Sequence, residues 1–117
     1  MTRRSIIYKT AAGVEPYSEY VDSLTDRQGA AKIRVRVTRA EMGNLGAHRS
    51  VGQGVVELKI DFGPGYRVYA GLQGEEVIVL LCAGDKGSQQ KDIAKAKGYW
   101  EDYRRNDEKI SQSRRIS

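Results

Sequence analysis

The sequence predicts an α+β fold in which a small antiparallel sheet is combined with helices that precede and follow it. Residues 55–62 and 66–72 alternate between apolar and polar side chains on either side of a GPG turn, as the two strands of a hairpin do. Residues 76–83 are almost wholly apolar, which indicates a central strand covered on both faces. Apolar residues at helical spacing before and after these strands indicate the helices.

The N-terminal part of the chain contains one short strand and one helix. Residues 5–10 are predicted to form the strand. The stretch EPYSEYVDSL has its apolar residues at helical spacing, and it begins with Pro16, a residue type that is common at the first position of a helix.

Residues 26–42 carry two patterns. Asp26 is a residue type favoured at the N-cap, and it is followed by apolar residues at helical spacing: Ala30, Ile33, Val37 and Ala40. The segment KIRVRVTR within this range also alternates, and its β-branched residues favour a strand. The residues by themselves therefore leave a helix and a strand both open. Residues 43–54 are predicted to form a turn-rich connection.

The C-terminal part is predicted to form a helix followed by a tail. Residues 89–103 place four side chains on one buried stripe: Ile93, Ala96, Trp100 and Tyr103. From Arg104 the sequence is polar, RRNDEKISQSRRIS. We therefore expect one domain over residues 1–104 and a polar, flexible tail over residues 105–117.

The charge of the chain favours an anionic partner. Its 117 residues include 20 Lys and Arg against 15 Asp and Glu, which gives a formal net charge of +5. A basic protein of this kind suits a nucleic acid or an acidic protein, and the charge alone does not decide between them.

Several classes of site are excluded by the residues that the sequence lacks. The chain has one histidine, His48, and one cysteine, Cys82, so it has no intrachain disulfide and no Cys/His zinc cluster. Cys82 lies in an apolar run and is predicted to be buried. No phosphate-loop motif, signal peptide or apolar run of membrane-spanning length occurs. We expect a cytoplasmic protein without metal, cofactor or membrane contact.

The hairpin places five polar side chains on one face of the sheet: Glu57, Lys59, Asp61, Arg67 and Tyr69. If the apolar strand over residues 76–83 continues the meander, Lys86 reaches the edge that carries the GPG turn, close to Arg67. Lys59 lies about 10 Å back along its strand. Lys59, Arg67 and Lys86 are then able to converge on one anionic group. The same charges would also suit a solvated sheet face.

The hairpin and the elements after it resemble a known family. The stretches GVVELKIDFGPGYRVYAG and GDKGSQQKDIAKAKGYWEDY are similar to those of the RelE/HigB-like toxins of bacterial type II toxin–antitoxin modules, in the branch of addiction-module killer proteins. The upstream stretch RVRVTRAEMGNLGAHRSVGQGV fits as well, so that the resemblance covers residues 5–104. It implies a small twisted antiparallel sheet with two N-terminal helices and one C-terminal helix, and it favours the helix over residues 26–42.

The resemblance also implies an activity and a site. Members of the family typically cleave mRNA, often on the ribosome, without a metal. Arg67 matches the family's arginine that contacts the scissile phosphate, Lys59 and Lys86 match its basic positions, and Glu57 belongs to the pattern of the branch. These four residues are the expected catalytic set, and the expected RNA contacts are Tyr69, Asp61, Lys91, Lys95 and Arg49.

The partners follow from the same resemblance. We expect a cognate helix-turn-helix antitoxin, mRNA on the ribosome as the substrate, and operator DNA bound only through the antitoxin. Glu57 or Lys59 would act as the base for the attacking 2′-hydroxyl, and Lys86 would serve the leaving 5′-oxygen. The alternative is a non-catalytic basic module that binds RNA or an acidic antitoxin through the same face.

Overall fold

The computed structural model describes the backbone of residues 2–116 and the side chains of residues 2–107, and it has the predicted α+β class. This part of the chain forms five strands: β1 (Arg4–Ile7), β2 (His48–Gly52), β3 (Val55–Ile60), β4 (Tyr66–Gln73) and β5 (Val77–Asp85). Its three α-helices are α1 (Pro16–Ser23), α2 (Arg27–Glu41) and α3 (Gln89–Ile116). A short 3₁₀ helix, Lys86–Ser88, joins β5 to α3.

The five strands form one mixed sheet in the order β1-β5-β4-β3-β2. Strands β3 to β5 pair antiparallel, as predicted. Strand β2 pairs antiparallel with β3, whereas β1 pairs with β5 in parallel. The prediction of a wholly antiparallel sheet was therefore wrong for β1. Helices α1 and α2 carry the chain from β1 to β2 at the opposite edge, and the free edge of β5 is left for β1.

Strand β2 lies inside the segment that was predicted to be a turn-rich connection. Its sequence, HRSVG, is mostly exposed, so it has no alternation of apolar and polar residues that would indicate a strand. The backbone pairing with β3 holds it in place as an edge strand, from His48 opposite Leu58 to Gly52 opposite Val55. The prediction failed because edge-strand pairing depends on the backbone more than on the side chains.

Within residues 26–42 the chain forms helix α2 (Arg27–Glu41), as the resemblance favoured. The carboxylate of Asp26 accepts a hydrogen bond of 2.9 Å from the backbone N–H of Gly29, which confirms the predicted N-cap. The other oxygen of Asp26 accepts a bond of 2.6 Å from the hydroxyl of Tyr66 on β4. One side chain thus begins α2 and fixes that helix end against the sheet.

One face of the sheet is covered by α1 and α2. The predicted inward residues of the hairpin lie in this core: Val56, Leu58, Ile60, Tyr66, Val68 and Ala70 are buried, and Phe62 and Leu72 are partly buried. The helices contribute Val21, Ile33 and Val37, among others. The alternation over the hairpin therefore predicted this core correctly.

The other face is covered by α3. Ala96 and Trp100 of this helix are buried against Val55, Tyr69 and Leu81 of the sheet. The polar face of the hairpin was also compatible with a solvated face. Its centre is instead a second core beneath α3, and it is polar only towards one end. Cys82 lies in this core and is buried, as predicted.

Helix α3 is longer than predicted. It continues past Tyr103 to Ile116, because the polar residues after Arg104 include many straight-chain side chains that favour a helix. The side chains after Asp107 and the last residue lie outside the described part, so the flexibility of the tail over residues 105–117 stays a prediction. Neither α3 nor any other helix in residues 2–116 has the length and hydropathy that a membrane span needs.

The contact between Gly71 and Trp100 makes a sharp test of this second core. An ideal β-carbon on Gly71 would overlap the six-membered ring of Trp100. We expect Gly71→Ala to lower the free energy of unfolding by about 1–3 kcal/mol, since the core has no room for the methyl group. Urea unfolding followed by the fluorescence of Trp100, the only tryptophan, measures it.

The matched control is Gly98→Ala on α3, where an ideal β-carbon has no neighbour within 4 Å. Gly98 lies within the helix, where alanine is more favourable than glycine. The free energy of unfolding of this variant should therefore rise by up to about 1 kcal/mol. A Gly71→Ala protein as stable as the wild type would contradict the packing of α3 on β4.

Candidate functional site

The register of the strands places five of the predicted site residues in two adjacent rows across the sheet. In the first row, Arg49 on β2 lies opposite Glu57 on β3, which lies opposite Tyr69 on β4. In the second row, Lys59 on β3 lies opposite Arg67 on β4. The sheet itself therefore brings these five side chains to one region, near the end of the hairpin.

The carboxylate of Glu57 is fully buried and joins four elements. Its Oε1 accepts a hydrogen bond of 2.9 Å from Arg49 Nε. Its Oε2 accepts bonds of 2.9 Å from the hydroxyl of Tyr69 and 2.8 Å from Nε2 of Gln89, the first residue of α3. Glu57 Oε1 also lies 3.9 Å from Nε of Arg67. A buried charge with this many donors is compensated rather than isolated.

Burial acts to raise the pKa of Glu57, but the hydrogen bonds from Arg49, Gln89 and Tyr69 outweigh it and hold the pKa below its usual value. Burial and the bond to Glu57 raise the pKa of the Tyr69 hydroxyl, so that it remains a donor. The bond to Glu57 raises the pKa of Arg49. Glu57 is accordingly a fixed negative charge at neutral pH.

The guanidinium of Arg67 is held in place with part of its binding capacity unused. Its side chain is 12% exposed, and its Nη1 donates a hydrogen bond of 3.1 Å to the carbonyl oxygen of Tyr66. Its Nε is buried and has no hydrogen-bond partner among the described residues. With Glu57 on one side and the protein surface on the other, Arg67 is a positioned cation of the kind that binds phosphate oxygens.

Lys86 reaches Arg67 at the GPG turn. An ideal β-carbon on Gly65 would lie 3.3 Å from Arg67 Nη1 and 3.5 Å from Lys86 Cβ, so both side chains border the same glycine. The φ of +82° at Gly65 suits the predicted turn. Lys86 follows Asp85, whose carboxylate accepts a bond of 2.8 Å from the Gly87 N–H and thereby orders the 3₁₀ helix.

We call Lys59, Arg67 and Lys86 the Arg67 cluster. Arg67 is partly exposed, and Lys59 and Lys86 are exposed. Arg67 Nη1 and Lys86 Cβ border the same glycine, and Lys59 lies opposite Arg67 in the hairpin register. The convergence of the three charged groups on one anion stays a prediction. Their catalytic roles stay predictions.

The remaining predicted RNA contacts are distributed over a wider surface. Asp61 and Lys91 are exposed, and half of the Arg49 side chain is exposed although its Nε is bound to Glu57. Lys95 is also exposed, and it lines a cleft of about 500 Å³ between α1 and α3 that also contains Cys82. The structure does not bring Lys95 to the Arg67 cluster.

Two predicted site residues lie beneath the surface. Glu57 and Tyr69 have no exposed area, because the N-terminal turns of α3 cover the part of the sheet that carries them. The expectation that both point outward into solvent was wrong. Direct contact of either side chain with RNA would require α3 to move, and the geometry favours a role in positioning Arg49 and Arg67.

Two residues of the site region were missed by reasoning from the sequence. Gln89 carries no signal beyond its place at the start of a helix, yet it binds Glu57. Arg36 is 7% exposed and belongs to the segment KIRVRVTR, in which alternation assigned it to an exposed face. A buried arginine on a helix cannot be distinguished from an exposed one by its spacing alone.

Among the described side chains, no three His, Cys, Asp or Glu residues come together as a metal site.

Fold and site together define a basic α+β protein with a mixed five-stranded sheet and a fixed arginine at the end of its hairpin. The chain is 43% identical over 81 residues to a protein of Haemophilus influenzae that is described as an uncharacterized protein, and the match covers 69% of this chain and 82% of that protein. The chain belongs to the same family as this Haemophilus protein. No family model matches the chain. No solved structure matches it at a significant level.

The role of Glu57 as an ionised buried group predicts a pH-dependent loss of stability in Glu57→Gln. At pH 7 the free energy of unfolding of the variant should be about 1–3 kcal/mol lower than that of the wild type, because buried donors lose a charged acceptor. The folded-state pKa of Glu57 lies below its unfolded value of about 4.3, so the stabilisation is complete above that pH and is lost as pH falls through the folded value.

Urea unfolding at pH 7 and at several values below pH 5 measures this difference. The control is Glu75→Gln, which removes the same charge from an exposed turn residue. Glu75→Gln should change stability by less than about 0.5 kcal/mol. An equal gap between wild type and Glu57→Gln at all pH values would show that folding does not lower the pKa of Glu57.

Proposed function

We propose that the protein is the toxin of a type II toxin–antitoxin module and cleaves mRNA as a metal-independent endoribonuclease, most effectively during translation. The observation that carries this proposal is Arg67, whose side chain is 12% exposed and whose guanidinium is positioned by Glu57 at 3.9 Å and by the carbonyl of Tyr66. Lys86 at the GPG turn and Lys59 on the paired strand add positive charge next to Arg67. A single phosphate is the anionic group that such a cluster suits.

The proposal extends to the arrangement of the fold. We assign the chain to the RelE/HigB-like toxins, in the addiction-module killer branch. The order of two helices before the hairpin, a final apolar strand and a C-terminal helix supports this assignment. The parallel pairing of β1 with β5 completes the sheet.

The reaction needs four events at one phosphate. A 2′-hydroxyl loses its proton, its oxygen forms a bond to the adjacent phosphorus, the bond from phosphorus to the 5′-oxygen breaks, and that oxygen gains a proton. Arg67 stabilises the negative charge that collects on the phosphate oxygens in the transition state. Because Glu57 is buried, its role is to position Arg67. Lys59 and Lys86 are the exposed groups of the cluster that are available for proton transfer.

The second candidate function is a non-catalytic basic module that binds RNA or an acidic partner through the same face. It is favoured by one observation: the carboxylate next to Arg67 is sealed beneath α3 with three hydrogen bonds, so it is not free to accept a proton from a substrate. A binding module would keep the same cations and lack the cleavage step.

Substitution of Arg67 separates the two functions. Arg67→Ala should lower the rate of mRNA cleavage by about 10²–10³-fold, as the loss of one transition-state donor does, and Lys86→Ala should lower it in the same direction. Primer extension on mRNA in a translating extract measures the rate, and growth after induced expression measures toxicity. Uncut mRNA and unimpaired growth with the wild-type protein would favour the binding module.

The control for this test is Arg34→Ala on α2. Arg34 carries the same charge, is exposed and pairs with Asp22 at 3.2 Å, away from the Arg67 cluster. Its cleavage rate should equal that of the wild type. Urea unfolding of each variant separates lost chemistry from lost folding. Full cleavage by both Arg67→Ala and Lys86→Ala would rule out the proposed site.

The proposed partner is a helix-turn-helix antitoxin that acts in the cytoplasm, covers the basic face and recruits the pair to operator DNA. Its acidic groups would neutralise part of the net charge of +5. Co-expression with the product of the adjacent reading frame should restore growth, and the two chains should copurify. Equal rescue by an unrelated reading frame of similar length would contradict a cognate antitoxin.

A further inference from the structure

A second basic site lies between α2 and β3, next to the Arg67 cluster. This α2–β3 cleft has a volume of about 450 Å³. Its charged lining residues are four basic and one acidic: Lys32, Arg36, Arg39, Lys59 and Asp61. The excess of positive charge in a concave region favours an anionic ligand.

Arg36 provides the strongest sign of a ligand. It is 7% exposed, and its Nε donates a hydrogen bond of 3.1 Å to the carbonyl oxygen of Lys59. Its Nη2 donates to the carbonyl oxygens of Ala47, at 2.9 Å, and Leu45. Its Nη1 is buried and has no partner within residues 2–107. The acceptors of this buried cation are thus neutral carbonyls, and its charge has no carboxylate counterion among the described ion pairs.

A buried charge without a counterion is costly, and the cost falls when an opposite charge comes close. Burial and the nearby charge of Arg39 both lower the pKa of Arg36, so both effects act against its positive charge. Lys32, Arg36 and Arg39 are spaced four and three residues apart on α2, which puts them on one face of the helix over about 10 Å. An anion in the cleft would lie close to the positive charge of all three.

The α2–β3 cleft borders the Arg67 cluster at Lys59. The backbone carbonyl of Lys59 accepts the hydrogen bond from Arg36 in the cleft, and the residue lies opposite Arg67 in the hairpin register. The aromatic ring of Phe62 also lines the cleft, with Lys32 Nζ 5.6 Å from its centroid. A track of cations with an aromatic side chain beside it suits a single-stranded nucleic acid, whose phosphates repeat along the chain.

We propose that the α2–β3 cleft binds a backbone phosphate of the same RNA strand whose scissile phosphate lies at Arg67. The inference rests on the proposed function and adds a binding site for the strand outside the cleavage site. This second site sets where along the strand Arg67 acts. An acidic segment of a partner protein is the competing occupant, and it is less favoured because the cleft borders the cluster proposed to hold RNA.

The test uses the double variant Lys32→Gln/Arg39→Gln, which leaves the structural Arg36 unchanged. Its probe is a fluorescently labelled single-stranded RNA of about 12 nucleotides, a length within the range of single-strand binding sites. The RNA carries 2′-O-methyl groups, so that no 2′-hydroxyl is present to attack. Fluorescence anisotropy at several salt concentrations gives the affinity and its salt dependence.

The double variant should bind this RNA about tenfold more weakly, and the slope of log affinity against log salt should fall by about 0.7 for each phosphate that the protein no longer neutralises. Arg34→Gln, on the same helix but outside the cleft, should change the affinity less than about twofold, because it leaves the phosphate-binding residues intact. Urea unfolding should show that both variants fold like the wild type.

The failures of the two proposals are distinguishable. Unchanged RNA affinity and slope in the double variant, with cleavage still dependent on Arg67, would overturn the cleft proposal and leave the toxin proposal standing. Loss of binding to a polyglutamate peptide with normal RNA binding would assign the cleft to an acidic protein instead. No RNA binding and no mRNA cleavage by the wild-type protein would overturn both.

Discussion

The buried carboxylate of Glu57 is the interaction on which the arrangement of the site depends. It accepts hydrogen bonds from β2, β4 and α3 through Arg49, Tyr69 and Gln89. A carboxylate without exposed area is stable in the charged form only while these donors are present. Gln89 directly follows the 3₁₀ helix that carries Lys86, so the bond that closes α3 over the sheet also fixes the loop facing Arg67. Stability and the geometry of the basic cluster are thus coupled through one side chain.

The sequence predicted part of this arrangement through the alternation of apolar and polar side chains. Alternation reports which residues share a face of a strand, and it correctly separated Leu58 and Val68 from Glu57 and Arg67. It does not report what covers a polar face. Glu57 and Tyr69 are the residue types of a solvated face, and only the packing of α3 makes them interior. The stripe containing Ala96 and Trp100 showed that α3 buries a face but not which sheet surface receives it.

The parts of the fold that were not predicted are held by backbone atoms rather than by apolar side chains. Strand β2 is exposed along most of its length and pairs through its main chain. Arg36 is buried because the carbonyl oxygens of Leu45, Ala47 and Lys59 converge on its guanidinium. The loop that supplies two of these carbonyls leads directly into β2. Such interactions form between segments far apart in sequence, and a local pattern of polarity contains no information about them.

The two buried charges beside β3 differ in how they are compensated, and this difference locates the excess positive charge. Glu57 has Arg49 bound at 2.9 Å and Arg67 at 3.9 Å, so one carboxylate is shared by two cations. Arg36 has only carbonyl acceptors and lies near Arg39. Both regions therefore carry more positive than negative charge, one on each side of Lys59. An extended polyanion is able to neutralise both at once, whereas a single small anion reaches one of them.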